Sequence, residues 1–183
     1  MAKLIYSMMV SLDGYINDAA GDFDWGQIDA EVHAHANAEA ERIGTEIYGR
    51  RMYEIMVAWE TLDADNDVEA EFARNWRDKD KIVVSKSLDA VSSARTQLVS
   101  ELSLEDLRRM KAEATMDLAV AGPTLASTYL NAGLVDEVSL YYVPVVVGGG
   151  TPVFQNIEKK LTFTLLEERK FPNGVVFTRY RLS

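Results

Sequence analysis

The chain has 183 residues, of which 48% are hydrophobic and 26% are charged, with a formal net charge of −10. This composition is typical of a globular protein with a sizeable core, and we expect one domain over residues 1–183. The negative charge disfavours nucleic acid as a partner, because phosphate backbones bind to basic surfaces. The absence of cysteine excludes disulfides, thiolate ligands and cysteine nucleophiles.

Two further patterns limit the possible functions. His33 and His35 are two residues apart on a predicted helix and face different sides, so we expect no dedicated metal site. No apolar run approaches the roughly 20 residues needed to cross a bilayer. Residues 1–6 lead directly into a strand-like pattern without the shape of a signal peptide. We therefore expect no membrane partner and a cytoplasmic location.

Predicted strands and helices alternate along the first half of the chain. A loop at residues 17–26 contains Phe23 and Trp25, which either anchor the loop by packing or form a flat wall for a planar ligand. The predicted segments are a buried strand at 3–10, a helix at 29–42, a strand at 43–48, a helix opening at 49–54, an acidic loop at 62–68, a helix at 69–78, a strand at 81–85 and a minor strand at 94–99.

The second half continues this alternation and then ends in a hairpin. Ser103 and Asp106 resemble a capping box that opens a helix at 104–114. The remaining predicted segments are a strand at 117–121, a helix at 123–132, a strand at 135–144, a glycine-rich loop at 145–152 and two antiparallel strands at 161–171 and 175–182. This order predicts an α/β/α sandwich whose sheet is mainly parallel with an antiparallel C-terminal edge.

Gly122 and Pro123 form the turn between a predicted strand and the helix that follows it. Proline suits the first helical position, because the N–H that it lacks would be unpaired there. Glycine allows a ligand to approach the backbone. The turn therefore predicts a phosphate site at a helix N-terminus. The alternative is a tight turn that needs these residues only for packing.

Two other predicted strands also end in groups that can bind anions. Gly49 precedes Arg50 and Arg51 at a helix start, where paired arginines oppose the helix dipole unless an anion lies nearby. Ser85 and Lys86 end the next strand. The carboxyl ends of parallel strands meet at one sheet edge, so these groups are expected to converge there. The alternative for the arginines is a solvated charged turn.

Five segments in this order resemble the dihydrofolate reductase-like superfamily, and above all single-domain bacterial proteins akin to the reductase domain of riboflavin-biosynthesis deaminase–reductases. The segments are MVSLDGYI at 9–16, GRRMY at 49–53, VVSK at 83–86, VAG at 120–122 with the helix that follows, and the triple-glycine segment at 144–154. The resemblance covers nearly the whole chain. It implies the dihydrofolate reductase-like fold and NADPH extended along the carboxyl edge of the sheet.

The resemblance also implies roles for particular residues, which fall into four groups and one supporting loop. By analogy, the nicotinamide is bordered by Met9 and Ile16, the phosphates by Gly49, Arg50, Arg51 and Met52, the adenosine and its 2′-phosphate by Ser85 and Lys86, and the pyrophosphate by Gly122, Thr124, Leu125 and Ala126. The loop at 148–150 supports this region.

The sequence departs from dihydrofolate reductases at three places. Ala121 replaces the first glycine of their phosphate turn. Lys79 stands for the arginine that grips the folate tail, and lysine cannot make the same bidentate contact. Their acid on the first helix has no single match, and Asp29, Glu31 and His33 are the candidates. These departures disfavour folate as the substrate without affecting the cofactor.

The expected function is an NADPH-dependent reductase of a small heterocyclic or carbonyl-type substrate that is pterin- or pyrimidine-like. Phe23 and Trp25 are the candidate substrate wall. Asp29 is either the N-cap of the first helix or a carboxyl group that holds the substrate or relays a proton. The alternatives are a nucleotide-binding or regulatory protein without turnover and a structural oligomer without a ligand. Related reductase domains are commonly dimeric, so a homodimer is expected, with its faint support in the apolar C-terminal strands.

Overall fold

The computed structural model describes residues 1–26 and 28–183, in which eight strands form one sheet flanked by five α-helices. A short 3₁₀ helix, absent from the sequence-based prediction, spans Val57–Glu60. The other elements are β1 (Leu4–Ser11), α1 (Ala30–Ala40), β2 (Ile43–Gly49), α2 (Arg50–Met56), α3 (Asp67–Asp78), β3 (Asp80–Val84), β4 (Thr96–Val99), α4 (Leu104–Glu113), β5 (Asp117–Ala121), α5 (Pro123–Asn131), β6 (Glu137–Val143), β7 (Phe163–Lys170) and β8 (Val176–Leu182).

The strand order in the sheet is β4-β3-β2-β5-β1-β6-β8-β7. Every neighbouring pair from β4 to β6 is parallel, and β8 is antiparallel to both β6 and β7. The predicted α/β/α sandwich with a mainly parallel sheet and an antiparallel C-terminal edge is therefore confirmed. Since parallel strands end on the same side, the carboxyl ends of the first six strands form one edge, which we call the carboxyl edge.

The alternation of side chains along β1 separates the two faces of the sheet. Leu4, Tyr6 and Val10 are buried in a core that also contains residues of α4 and α5. Ile5 points to the opposite face, where α1 and α3 contact each other. This explains why β1 is apolar on both faces: helices cover it on both sides.

Side-chain caps fix where three of the helices begin. Ser103 Oγ accepts a hydrogen bond from the Asp106 N–H at 3.0 Å, so the predicted capping box is confirmed. Asn66 caps α3 by accepting from the Glu69 N–H, and the helix therefore starts at Asp67 rather than at 69, inside the predicted acidic loop. Asp29 caps α1. Among the helices of the described residues, none has the length and apolarity that crossing a membrane requires.

The C-terminal hairpin places β7 at one edge of the sheet. Its turn is closed by the Gly174 N–H, which donates to the Phe171 carbonyl at 3.0 Å, and Gly174 has a φ of +90°. Leu165 and Leu166 on β7 are 46% and 45% exposed. The exposed apolar side chains and the unpaired outer side of β7 are features that a partner chain could cover.

A buried carboxylate connects β6 to the start of the chain at the opposite, amino edge. Glu137 is 2% exposed and accepts from Lys3 Nζ at 2.5 Å and from Arg42 Nη2 at 2.9 Å. Burial by itself raises the pKa of Glu137, but the hydrogen bonds from Lys3 and Arg42 hold it below its ordinary value. This charged cluster ties together the amino ends of three elements.

Candidate functional site

The strand register brings the predicted anion-binding turns together at the carboxyl edge. Gly49 at the end of β2 is opposite Val84 of β3, and Tyr48 is opposite Ala121 of β5. Neighbouring strands are about 4.8 Å apart, so the turns that follow them are neighbours as well. The Arg50 guanidinium donates to Ser87 Oγ at 3.1 Å, which joins the start of α2 to the turn after β3.

Gly122 gives the turn between β5 and α5 its shape. Its φ is +99°, and a Cβ atom there would lie 3.8 Å from Cβ of Met52, so α2 adjoins this turn. No side chain caps α5. The Ala126 N–H is bonded to the Gly122 carbonyl, whereas the N–H groups of Thr124 and Leu125 lie in the uncapped first turn and can bind an anion.

The cations of the carboxyl edge differ in how they are paired. Arg50 is bound to Glu54 at 2.7 Å. Arg51 and Lys86 are exposed, and neither forms an ion pair with a residue that the structure describes. Ser85 Oγ accepts from the N–H groups of the turn that follows it, at 3.2 and 3.1 Å, so its hydroxyl hydrogen is available to donate to a ligand.

The loop after β1 and the glycine-rich loop after β6 are bound to each other at the same edge. The Asp13 carboxylate accepts from the N–H groups of Val147 and Gly148 at 3.2 and 2.7 Å, and the hydroxyl of Ser11 donates to it at 2.7 Å. The Ser11 hydrogen bond, together with these backbone N–H groups, lowers the pKa of Asp13 although desolvation opposes it. Asn17 Oδ1 accepts from the Thr151 N–H.

Asp13 lies in the MVSLDGYI segment, but neither Asp13 nor Asn17 was predicted to have a role in the site. The available signal was an aspartate that follows a buried strand by two residues, which is too common to predict a contact 134 residues away.

Met9 and Ile16, the predicted neighbours of the nicotinamide, contact different parts of the core. Ile16 packs against the core that contains α5, and its N–H donates to the Thr151 carbonyl at 2.9 Å. Met9 packs on the other face together with Trp25, against a cluster that includes Val32 and Tyr141. Both residues border the loops of the carboxyl edge.

A cavity of about 170 Å³ lies between the sheet and the helices α1 and α3. Its sheet side includes Ile5 and Ala119, and its helix side includes Ala36 and Phe72. Ala121 also lines the cavity, and Gly122 is the next residue along the chain. The cavity therefore reaches the carboxyl edge beside the β5–α5 turn.

Polar groups lie inside this largely apolar cavity. Ser139 Oγ is buried and has no hydrogen-bond partner among the described residues, and Ser7 is its cross-strand neighbour. Glu46 lines the cavity and is paired with Lys79 at 3.4 Å. An unpaired buried hydroxyl is costly unless a ligand or a water molecule satisfies it, so this cavity suits a ring that carries hydrogen-bonding groups.

A family model described as the RibD C-terminal domain matches residues 2–177. The chain belongs to this family. The uncharacterised protein YyaP of Bacillus subtilis (strain 168) is 28% identical over 175 residues, which cover 95% of this chain and 92% of YyaP.

Two solved structures share the fold of this RibD C-terminal domain protein. A putative riboflavin biosynthesis protein from Shewanella sp. PV-4 is 24% identical with a TM-score of 0.76, covering 100% of this chain and 99% of that one. A diaminohydroxyphosphoribosylaminopyrimidine deaminase/5-amino-6-(5-phosphoribosylamino)uracil reductase from Thermotoga maritima is 16% identical with a TM-score of 0.70. The match covers 100% of this chain and 57% of the Thermotoga chain. The resemblance to riboflavin-biosynthesis reductase-like proteins is confirmed.

The candidate substrate residues of this RibD C-terminal domain protein lie outside the cavity. Asp29 is exposed and accepts from the Val32 N–H at 2.9 Å, so it does serve as the N-cap. Trp25 donates to the Asp22 carbonyl, and Phe23 is 51% exposed. A catalytic role for Asp29 and a substrate wall formed by Trp25 and Phe23 stay predictions.

Lys79 and His33 lie at two other positions where the sequence departs from dihydrofolate reductases, and both make contacts inside the protein. Lys79 is buried and forms an ion pair with Glu46. Its ammonium group is therefore not exposed to bind the carboxylate of a folate tail. His33 packs against the rings of Trp59 and Phe72, at centroid distances of 6.1 and 5.2 Å. Among residues 1–26 and 28–183, no three His, Asp or Glu side chains are grouped so that they could hold a metal ion.

Proposed function

We propose that this protein is an NADPH-dependent reductase that transfers a hydride to a pyrimidine-like substrate. One observation carries the proposal: the lining of the cavity between the sheet and α1 includes Ala121, the last residue of β5, and the next residue is Gly122 of the uncapped α5 turn at the carboxyl edge. A cofactor bound along that edge and a ring bound in the cavity would meet there. The names of the Shewanella and Thermotoga proteins, a putative riboflavin biosynthesis protein and a 5-amino-6-(5-phosphoribosylamino)uracil reductase, support the same chemistry.

The residues of the carboxyl edge fit a dinucleotide that carries a 2′-phosphate. Arg51 and Lys86 offer positive charge, Ser85 offers a hydroxyl donor, and the first turn of α5 offers N–H groups. When bound, NADPH supplies the hydride and its electron pair. The protein would hold the phosphates, orient the nicotinamide with Met9 and Ile16, and exclude water from the cavity.

The cavity fits a small acceptor. Its volume corresponds to roughly five or six water molecules, which suits one six-membered ring better than a fused pterin. Ser139 can donate to or accept from a ring carbonyl or nitrogen, and Glu46 can accept from a ring N–H. A pyrimidine has both kinds of group, so it would satisfy the buried hydroxyl of Ser139.

Binding measurements test the cofactor half of the proposal. NADPH and NADH are titrated into the wild-type protein, Arg51→Ala and the control Arg108→Ala, whose exposed arginine lies on α4. We expect the wild-type protein to bind NADPH more tightly than NADH. Arg51→Ala should lose about 1.5–3 kcal/mol of the free energy of NADPH binding, whereas Arg108→Ala should lose none. Equal affinities of the wild-type protein for the two cofactors would refute the assignment of a 2′-phosphate site.

Turnover measurements test the substrate half. Oxidation of NADPH is followed by its absorbance. The acceptor is 5-amino-6-(5-phosphoribosylamino)uracil, which the name of the Thermotoga structure suggests and of which the cavity would hold only the uracil ring. Substrate-dependent oxidation is expected from the wild-type protein, and a weaker response is expected from Ser139→Ala, which keeps the volume of the cavity nearly unchanged. Saturable NADPH binding without oxidation would instead favour a nucleotide-binding protein without turnover.

A further inference from the structure

Tyr141 is a cavity residue whose hydroxyl has a specific partner. It lies on β6, is 6% exposed, and lines the cavity together with Ser139. Its hydroxyl oxygen is 2.9 Å from Nδ1 of His35, which is on α1 and is only partly buried. The pair therefore forms a connection from the interior of the cavity to a group that solvent can reach.

The surroundings hold this pair in place. The imidazole of His35 packs edge-on against the rings of Phe171 and Phe177, at centroid distances of 5.4 and 4.6 Å, and against Tyr141 itself at 5.8 Å. Such aromatic contacts fix the orientation of both rings. His35 also lies on the opposite side of α1 from His33, so the two histidines have independent environments.

Four charged groups act on His35 besides its burial. Burial lowers the pKa of His35 below its ordinary value, Glu39 and Glu167 oppose this effect, and Arg169 and Arg179 add to it. Arg179 is bound to Glu39 at 2.7 Å and also to Glu167, so these charges largely compensate each other. His35 consequently gains its proton only at a pH below the ordinary range of histidine, chiefly because of its burial.

We propose that Tyr141 is the proton donor of the reaction and that His35 is the positioning residue that returns a proton to it. This inference depends on the proposed function, because the cavity must hold the acceptor. When His35 is neutral, the Tyr141 O–H donates to Nδ1. When His35 is protonated, Nδ1–H donates to the phenol oxygen, and the phenol hydrogen is released to point at an acceptor in the cavity.

The step balances in atoms and electrons. Bound NADPH would supply a hydride to the carbon of a C=N or C=O bond of the acceptor and become NADP⁺, and the π electrons of that bond would move to its nitrogen or oxygen. That atom takes the proton of the Tyr141 hydroxyl. Tyr141 takes the Nδ1 proton of His35, and His35 is protonated again by water. Burial raises the pKa of Tyr141, so the phenolate cannot persist and the transfer from His35 accompanies the step.

The relay requires protonated His35, which sets the pH dependence of hydride transfer. Single-turnover oxidation of enzyme-bound NADPH with 5-amino-6-(5-phosphoribosylamino)uracil should slow about tenfold for each pH unit above the pKa of His35. Tyr141→Phe should slow the step about 10²-fold or more. His35→Gln should slow it about tenfold and remove the pH dependence, whereas the control Arg108→Gln, at an exposed position on α4, should change neither.

A second measurement does not depend on activity. The chain has two histidines, so an imidazole NMR titration contains two sets of signals, which His33→Gln assigns. Tyr141→Phe should shift the His35 signals and their midpoint and leave those of His33 unchanged.

The outcomes separate the two proposals. An inactive wild-type protein that does not oxidise NADPH overturns the proposed function and the relay with it. An active protein in which Tyr141→Phe keeps its rate, or in which His35→Gln keeps the pH dependence, overturns the relay alone. Unchanged His35 signals in Tyr141→Phe overturn the contact on which the relay depends.

Discussion

Gly150→Ala tests how the two loops of the carboxyl edge are held together. Gly150 has a φ of +133°, and a Cβ atom there would lie 2.0 Å from the carbonyl oxygen of Asn17 and 2.8 Å from that of Asp18. Because both obstacles are backbone atoms, no side-chain rotation can relieve the collision. The glycine-rich loop would have to move away from residues 12–18.

Alanine substitutions at the neighbouring Gly148 and Gly149 serve as controls and indicate how much destabilisation to expect from Gly150→Ala. Gly149 has no positive φ and nothing within 4 Å of its Cβ position, so Gly149→Ala should change stability by no more than about 0.5 kcal/mol. Gly148 also has open space but a φ of +75°, so Gly148→Ala should cost about 1–2 kcal/mol in backbone strain. Gly150→Ala adds the loss of about two or three inter-loop hydrogen bonds, for a total of about 3–5 kcal/mol.

Urea unfolding followed by tryptophan fluorescence measures these differences. The expected order of destabilisation is Gly149→Ala, then Gly148→Ala, then Gly150→Ala. The Gly150→Ala protein should also bind NADPH more weakly, since the displaced loop borders the carboxyl edge. Equal stability of the Gly149→Ala and Gly150→Ala proteins would show that the loops do not approach each other as the structure describes.

Three further predictions concern other parts of the molecule. The contacts that lower the pKa of Glu137 stabilise the folded protein at a pH above about 4.3, the pKa of an unfolded glutamate. This stabilisation is lost as the pH falls through the lower pKa of the folded state. Glu137→Gln should therefore destabilise the protein at pH 7 by about 1–3 kcal/mol, and the urea midpoint of the variant should depend less on acid pH. Asn is nearly as good a helix cap as Asp, so Asp29→Asn should change the stability little. If Tyr141 is the proton donor, this variant should turn over normally. A fall in turnover of about 10²-fold would instead support Asp29 as the acid. Light scattering should find a homodimer, and a monomer at micromolar concentration would contradict that prediction.

Local sequence signals predicted most of the fold. Hydrophobic periodicity placed the strands and helices, and Ser103, Gly122 and Gly174 marked ends and turns correctly, because caps and tight turns depend on a few adjacent residues. The start of α3 was missed by two residues, since Asn66 was not recognised as the cap. The order of segments was also sufficient to identify the family.

The carboxyl-edge turns were predictable for a topological reason. Parallel strands must end on one side of the sheet. Residues at the ends of β2, β3 and β5 therefore converge because of the strand direction, independently of their side-chain contacts. The cavity was not predictable in this way. Ser139, Tyr141 and His35 come from a strand and a helix about a hundred residues apart in the chain, and their meeting depends on strand register and on the position of α1 over the sheet.

The sequence by itself determined the elements, their order and the edge at which the predicted anion-binding turns meet, because these follow from local periodicity, turn chemistry and the direction of parallel strands. Only the tertiary structure decided which polar groups share the cavity, that Asp13 holds the glycine-rich loop, and that Lys79 is directed inward to Glu46. Those facts depend on long-range packing, in which a one-residue change of register would turn each strand side chain to the other face.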